Sequence, residues 1–310
     1  MVKRTKKQSK NAPNNTAIAD TLLTEMRRQA QSKIIHLKAI VAARAKAEEQ
    51  QRTVVTPQRL AQLHPAHAAY VYAQNQISVM TEELSDLRAM TPLSKIVARA
   101  EDYYSPGGPP MSPLTTSYFT CWAIFDACVG VTDETFGTVV LAVGTALGMD
   151  DDLLRLMNLM QQSRMGIYIH GGTDGDLVIL RDLVTETECR CLVPSKYRGS
   201  KGEIWYARVL PPPHPCFSEH VVFTTPYVLR DPRLSAWEEY FGRTLPTEPQ
   251  QDRIEAYEDH MKFGPSRHYW NDFVFEGYSN YRTEAIYLVG LPDVPESRPH
   301  YDARFANMAR

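Results

Sequence analysis

The N-terminal third of the chain has the hydrophobic pattern of amphipathic helices. Over residues 16–51, apolar positions recur in steps of three and four and form one stripe, which consists of Ile18, Leu22, Met26, Ala30, Ile34, Leu37 and Val41. This spacing predicts one long helix with a single buried face. Thr56 and Pro57 form an N-cap and first-turn pair for a second long helix, which Pro65 restarts. We predict that these two helices pair as a hairpin or dimerise.

Residues 93–104 predict a shorter helix that completes a helical region over residues 16–104. The segment SPGGPPMSP, residues 105–113, is too rich in Pro and Gly to continue a helix and is interpreted as a linker. Residues 114–130 are almost entirely apolar and aromatic, so they are expected in a core. Thr132 and Asp150 are N-cap candidates for two helices in the following part of the main domain, residues 114–165.

The hydrophobic period shortens to that of strands at Gly166. Within residues 166–230, the segments IYIH, LVILRDL, ECRCLV, EIWYARVL and HVVFTTPYVL alternate buried and exposed positions and are separated by turn residues. Asp174 and Gly175 suit the tight turn of the first hairpin. Five short strands in about 65 residues favour a small closed barrel, because closure removes exposed strand edges.

The rest of the chain predicts helices and then an irregular end. Residues 231–291 are rich in aromatic side chains and are expected to be mainly helical, whereas residues 292–310 form an irregular tail. We therefore predict an α+β fold. It consists of a helical hairpin and a mixed domain with a small antiparallel five-stranded SH3-like or OB-like β-barrel and C-terminal helices.

Charge is segregated along the chain. Residues 1–60 hold thirteen Lys and Arg against four Asp and Glu, a balance of +9, so the remaining residues carry −11 of the net charge of −2. A basic tail, residues 1–15, on an acidic body can indicate contact with nucleic acid, but a solvated tail is the more common explanation of this pattern. The nucleic-acid candidates in this part are Lys3, Arg4, Lys6, Lys7, Lys10, Arg27 and Arg28.

The first residues lack the apolar region of a secretory signal, and the longest apolar stretch with helical character, residues 135–149, is shorter than the roughly 20 residues that span a bilayer. We expect a cytoplasmic protein with no membrane contact. The five cysteines are dispersed and odd in number, so free thiols are expected rather than a disulfide framework.

Aromatic and cationic residues alternate near the fourth predicted strand. Single-stranded nucleic acid is bound by such a combination, since bases stack on aromatic rings and phosphates contact cations. Trp205 alternates with Tyr206, so the two rings face opposite sides and Trp205 is expected in the core. The candidate residues for a nucleic-acid surface on the barrel are Tyr197, Arg198, Lys201 and Arg208.

Three cysteines and a histidine lie near each other in the sequence of the barrel: Cys189, Cys191, Cys216 and His220. Zinc accepts cysteine and histidine ligands in tetrahedral sites, although this spacing is not that of a standard finger. The alternative is core packing, because Cys189 and Cys191 share one face of a strand and cysteine behaves there as a small hydrophobic residue. The second interpretation is favoured, and no cofactor is predicted.

His268 and Asp272 have the spacing of one helical turn. A histidine oriented by a carboxylate is the element of general-base or metal chemistry, and an i, i+4 pair is also an ordinary contact on a helix surface. Sequence motifs of serine hydrolases, phosphate-binding loops, zinc proteases and dinucleotide folds are absent. The sequence thus favours a binding protein associated with nucleic acid. A protein-binding or homodimeric scaffold that uses the N-terminal helices and a metal-assisted hydrolase remain alternatives.

Overall fold

A computed structural model describes residues 17–31, 54–104 and 113–299 of the chain. The described residues form a mixed structure of helices and strands. The helices are α1 (Ala17–Gln31), α2 (Pro57–Leu60), α3 (Pro65–Ser85), α4 (Thr91–Tyr104), α5 (Pro113–Cys121), α6 (Phe136–Ala146), α7 (Asp151–Gln162), α8 (Leu234–Thr244), α9 (Gln250–Phe263) and α10 (Tyr269–Gly277). The part of the first predicted helix after residue 31, the basic tail, most of the linker and residues 300–310 lie outside the described residues.

The strands form one sheet of eight. They are β1 (Met165–Asp174), β2 (Leu177–Asp182), β3 (Glu188–Leu192), β4 (Ile204–Leu210), β5 (His220–Val222), β6 (Tyr227–Asp231), β7 (Tyr278–Tyr281) and β8 (Ile286–Val289). Their order is β1-β2-β3-β5-β4-β6-β8-β7, and β1 also pairs with β4. This additional pairing closes β1, β2, β3, β5 and β4 into a five-stranded barrel. None of the described helices has the length and apolar character needed to cross a bilayer.

The barrel confirms the predicted closed sheet and corrects its details. β3 and β5 run parallel, so the barrel is mixed and not wholly antiparallel. The predicted fifth strand is two strands, because the chain bends between Val222 and Tyr227. β5 closes the barrel, whereas β6 leaves it and pairs with β8. β7 and β8 were expected to belong to a helical region, and they extend the sheet beyond the barrel.

Several helix ends agree with the predicted caps. Thr56 accepts a hydrogen bond from the backbone N–H of Arg59 and caps α2, and Asp150 accepts one from Leu153 and caps α7. Thr132 does not begin a helix, because it lies in the turn that joins the bridged residues Val129 and Glu134. Thr135 caps α6 in its place through a capping box with Thr138.

The predicted hairpin of the N-terminal helices is not confirmed. α1 packs against α6, and α3 packs against α6 and α7. The Glu134 carboxylate accepts hydrogen bonds from the backbone N–H groups of Ala17 and Ile18 and so holds the start of α1. Leu22 and Tyr70 are fully buried in the same core as the helices of the main domain. The N-terminal helices therefore form part of the body of the protein.

Alternate positions of the sheet face two separate cores. The barrel interior contains Trp205, Ala207, Cys189 and Cys191, and the same face continues onto β6 and β8 through Val228 and Tyr287. The opposite face of β4, β6 and β8 packs against the C-terminal helices. Its members on these three strands are Ile204, Tyr206, Tyr227, Leu229, Ile286 and Leu288. One face of the extended sheet is thus covered by helices, and the other carries the barrel and its outer loops.

A buried ion cluster joins the helices to the barrel. A π-helical turn, Trp122–Asp126, follows α5 and places Asp126 in the interior. There Asp126 pairs with Arg208 of β4, and the Lys262 ammonium lies 3.3 Å from the second carboxylate oxygen. Burial lowers the pKa of Lys262 to about 8, although Asp126 acts in the opposite direction. Arg208 is 1% exposed.

Candidate functional site

The loop between β3 and β4, residues 193–203, presents three cations to solvent. The side chains of Lys196, Arg198 and Lys201 are exposed, and they lie at one end of the barrel. Gly199 has a φ of +60°, and a Cβ there would lie 2.6 Å from the Trp205 ring, so both the backbone conformation and the packing require glycine. Close packing of the loop on Trp205 fixes the direction in which the cations project.

His170 holds this loop on β1. One ring nitrogen, Nδ1, accepts a hydrogen bond from the backbone N–H of Gly172 at 3.1 Å. The other, Nε2, therefore carries the proton in neutral histidine and donates to the carbonyl of Arg198 at 2.8 Å. His170 is 1% exposed. Its backbone also bonds Gly202 and Glu203, so that the loop is anchored at three positions.

Glu203 is the polar centre beneath the loop. Its carboxylate accepts hydrogen bonds from the Tyr197 hydroxyl, at 3.1 and 3.2 Å, and from the Trp205 indole N–H at 3.0 Å. Tyr197 also packs against the core cluster that contains Tyr287. Burial, Tyr287 and Glu203 together raise the pKa of Tyr197, which remains a neutral phenol at physiological pH. These contacts connect the loop to β8.

Two arginines flank the ring of Tyr287. The guanidinium carbon of Arg230, on β6, is 5.2 Å from the ring centre, and that of Arg282, in the turn between β7 and β8, is 5.9 Å from it. Both arginines are exposed, whereas Tyr287 is 7% exposed. We name five exposed cations, three in the loop of residues 193–203 and two beside Tyr287, the basic face: Lys196, Arg198, Lys201, Arg230 and Arg282.

The basic face combines charge with planar groups. The guanidinium groups near Tyr287 are planar and exposed, and nucleic-acid bases stack on such planes. Arg198 also pairs with Asp176 at 3.4 Å, and Glu284 lies in the turn after Arg282. These carboxylates offset part of the positive charge at the edge of the basic face.

The structure places the predicted nucleic-acid residues differently. Tyr197, Arg198 and Lys201 share the loop described above. Arg208 is not on this surface, because its position on β4 points it away from the barrel interior and into the buried pair with Asp126. Arg27 and Arg28 are exposed on α1. The remaining candidates, which are Lys3, Arg4, Lys6, Lys7 and Lys10, lie outside the described residues.

The cysteine and histidine candidates for a metal site are spread over two environments. Cys189 and Cys191 are buried in the barrel core, and His220 is the strand partner of Cys191 on β5. Cys216 is exposed in the loop before β5, where its sulfur lies 3.0 Å from Nδ1 of His214. In the described part of the chain, no group of three or more histidine, cysteine or acidic side chains is arranged to hold a metal ion.

The thiols differ in accessibility, which leads to a testable prediction. Cys216 should react with a thiol reagent such as 5,5′-dithiobis(2-nitrobenzoate) in the native protein, because it is exposed. Burial raises the pKa of Cys121, Cys128 and Cys189 to about 11, and that of Cys191 is raised as well. Peptide mass spectrometry after brief labelling should find one modified cysteine, and Cys216→Ser should abolish the fast reaction. A second thiol reacting at the same rate would contradict this description.

His268 and Asp272 lie beside a common cavity but do not form the expected pair. Asp272 Oδ1 accepts a hydrogen bond from the Tyr104 hydroxyl at 2.5 Å, and the backbone N–H of Asp272 bonds the carbonyl of His268. The His268 ring packs near Tyr104 and Trp122, and its Nδ1 is buried without a hydrogen-bond partner. The Asp272 carboxylate therefore orients Tyr104 and not His268. The side chains of His268 and Asp272 share only their position in the wall of the cavity.

Sequence reasoning missed His170, Glu203, Arg230, Arg282 and Tyr287. Arg230 and Arg282 meet at Tyr287 only because β6 and β8 pair in parallel, with Val228 opposite Tyr287. Local patterns cannot reveal a pairing between segments so distant in sequence. Searches for related proteins supply no further guide, since no family model, curated protein or solved structure matches the chain.

Proposed function

We propose that this protein binds single-stranded nucleic acid through the basic face. The observation that carries the proposal is the pair of arginines, Arg230 and Arg282, on the ring of Tyr287, next to a firmly anchored loop with three further cations. Bases would stack on the guanidinium planes, and the loop cations would contact phosphates. Single-stranded nucleic acid needs stacking contacts for its bases and cationic contacts for its phosphates close to each other.

The topology of the barrel supports this proposal. We take the parallel pairing of β3 with β5 and the closure between β1 and β4 as support for the OB-like alternative over the SH3-like one. OB barrels bind oligonucleotides beside the loop between their first two strands. In this chain that loop adjoins the basic face, because Arg198 donates hydrogen bonds to the carbonyl of Gly175 and to Asp176.

The other loop that OB barrels use for ligands, between the fourth and fifth strands, is engaged elsewhere. Tyr70 of α3 donates a hydrogen bond to the carbonyl of Pro211, and Arg155 of α7 bonds that of Pro213. Phe217 packs near His64 at the start of α3. We therefore propose that the strand of nucleic acid runs across the loop of residues 193–203 and the ends of β6 and β8.

Anchoring of the loop favours binding in a second way. A loop that must be ordered on binding loses conformational entropy at that moment, which weakens affinity. The hydrogen bonds of His170 and Glu203 already hold the loop in the free protein. The basic tail, including Lys3 and Arg4, would add contacts to phosphates that do not depend on base sequence.

Replacing Arg230 and Arg282 together with glutamine should weaken oligonucleotide binding by about 10- to 100-fold, since each stacking or phosphate contact contributes on the order of 1 kcal/mol. Fluorescence anisotropy with labelled single-stranded RNA and DNA of about twelve nucleotides measures this directly. Because glutamine keeps a planar polar group, this substitution tests the contribution of the positive charge of the two arginines.

The matched control is Arg88→Gln with Lys95→Gln, which removes two exposed cations from the N-terminal helical region. This control should change affinity by less than about 2-fold at moderate salt, because exposed charges beyond the Debye length are screened. Equal losses in the two double variants would show that only net charge matters and would overturn the proposal, as would the absence of binding by the unmodified chain.

A further inference from the structure

A second concave site lies on the helices that cover the opposite face of the sheet. A cavity of about 320 Å³ opens between the end of α4 and the start of α10, and it is lined by Arg99, Tyr103, Tyr104, His268 and Asp272. Tyr104 and Phe275 stack at 4.4 Å within the core that also includes Tyr206. Tyr287 belongs to the other core, so this cavity and the basic face are on different faces of the sheet.

The wall formed by Asp272 offers a fixed hydrogen-bond acceptor. Its Oδ1 accepts the Tyr104 hydroxyl, and its Oδ2 accepts no hydrogen bond from any described residue. Burial, together with Asp272, raises the pKa of Tyr104, so the phenol keeps its proton and continues to donate. Stacking on Phe275 holds the phenol in place. One carboxylate oxygen is therefore positioned by the protein, and the other is left for a donor in the cavity.

The histidine adds a second polar group that lacks a partner. The ring centre of His268 is 6.3 Å from that of Tyr104 and 6.2 Å from that of Trp122. Its Nδ1 is buried and makes no hydrogen bond. The His268 ring lines the cavity beside Asp272, and Asp272 is the lining group with a free acceptor oxygen.

The mouth of the cavity is cationic and aromatic. Arg99 is exposed and forms no ion pair with a described residue. Tyr103 is 72% exposed, and its ring stands at 85° to that of Tyr104 with 4.9 Å between the centres. The exposed ring of Tyr103 provides one face on which a planar ligand can stack, and Arg99 provides a partner for a negative charge at the mouth of the cavity.

We propose that this cavity binds a nucleoside monophosphate whose base carries an amino group. The amino group would donate to Asp272, the base would stack on Tyr103 beside the His268 ring, and the phosphate would pair with Arg99. The volume agrees with this size of ligand, since small-molecule sites begin at about 300 Å³. This site is independent of the proposed nucleic-acid binding, and either one can fail alone.

The test is isothermal titration calorimetry of the full chain with adenosine monophosphate, inosine monophosphate and adenosine. Adenosine monophosphate is expected to bind with a Kd below about 1 mM. Inosine monophosphate has a carbonyl where adenosine monophosphate has the amino group, and adenosine lacks the phosphate. Each should bind at least about 10-fold more weakly, the loss of one charge-assisted hydrogen bond.

Asp272→Asn is the decisive variant. Its amide oxygen can still accept the Tyr104 hydroxyl, so the fold is retained, but an amide N–H₂ replaces the free acceptor. The preference between adenosine and inosine monophosphates should therefore reverse. Arg99→Gln should remove the advantage of adenosine monophosphate over adenosine. No binding of adenosine monophosphate, equal binding of the two monophosphates, or an unchanged preference in Asp272→Asn would each overturn the proposal.

The two sites are separated by crossed controls. Arg230→Gln with Arg282→Gln should leave the Kd for adenosine monophosphate unchanged, and Asp272→Asn should leave binding of the single-stranded oligonucleotide unchanged. If the mononucleotide instead responds to the arginine variant and not to Asp272→Asn, it binds at the basic face and the cavity proposal is wrong.

Discussion

Replacing Asp126 with alanine is expected to lower the free energy of unfolding by about 3–5 kcal/mol, the cost of leaving a buried charge without its partner. Arg208 is 1% exposed, and Lys262 is also largely buried, so both cations would lose their only carboxylate among the described residues. Ser163 and Gln161 supply backbone carbonyls to these cations, but carbonyls do not neutralise charge. Chemical denaturation followed by tryptophan fluorescence measures the effect.

The chain provides a matched control for Asp126→Ala. Asp174 and Arg190 pair at 2.7 Å on the barrel surface, and both side chains are more than half exposed. Asp174→Ala should therefore change the free energy of unfolding by no more than about 1 kcal/mol. If Asp126→Ala and Asp174→Ala lowered the free energy of unfolding equally, the buried ion cluster would not stabilise the contact between the π-helical turn and β4.

The second large effect is a loss of stability on acidification that depends on His260. Burial lowers the pKa of His260 to about 4, against an ordinary value of 6.5, and its Nε2 bonds the Tyr240 hydroxyl. Between these two values the unfolded chain binds a proton that the folded chain does not. Stability is therefore full above pH 6.5 and falls as the pH decreases towards 4, by about 2–3 kcal/mol for a shift of this size.

His260→Gln isolates this contribution. Glutamine can still hydrogen-bond Tyr240 but does not titrate, so the variant should lose less stability than the unmodified protein over the same pH range. Other groups with lowered pKa, such as His67 and His220, remain in both proteins and cancel in the comparison. Parallel stability curves for the two proteins between pH 6.5 and 4 would show that His260 is not buried as described.

Local sequence patterns predicted the parts of this fold that depend on local physics. Alternation of apolar and polar positions identified the barrel strands, and it explains why Cys189 and Cys191 lie in the core. Thr56 and Asp150 were recognised as caps because a short polar side chain before an apolar run satisfies the free N–H groups of a helix. Each of these features is decided within a few residues.

The parts that were not predicted depend on contacts between distant segments. Arg208 looked like a surface cation until Asp126, which is 82 residues earlier, placed a carboxylate beside it. The aromatic stretch that contains β7 and β8 resembled a buried helix, because apolar density alone does not distinguish the two structures. Its pairing with β6 creates the site of Arg230 and Arg282. The basic face could not be derived before that pairing was known.

The position of α1 and α3 in the core determines which N-terminal deletion can test the basic tail. Removing residues 1–112 would take away Leu22 and Tyr70, which are fully buried against the main domain, and would destabilise the whole protein. Removal of residues 1–16 takes away the basic tail and leaves α1 in place. Only the shorter deletion separates the contribution of the tail from that of the basic face.

The most direct test of the central claim is the salt dependence of single-stranded RNA binding, measured for the full chain and for a variant in which the five cations of the basic face are replaced with glutamine. Each phosphate contact contributes a slope of about −0.7 to log K against log salt concentration, so the three loop cations that contact phosphates predict a slope less steep by about 2 in the variant. Unchanged slope and affinity in this variant, with both lost on removal of residues 1–16, would contradict the account.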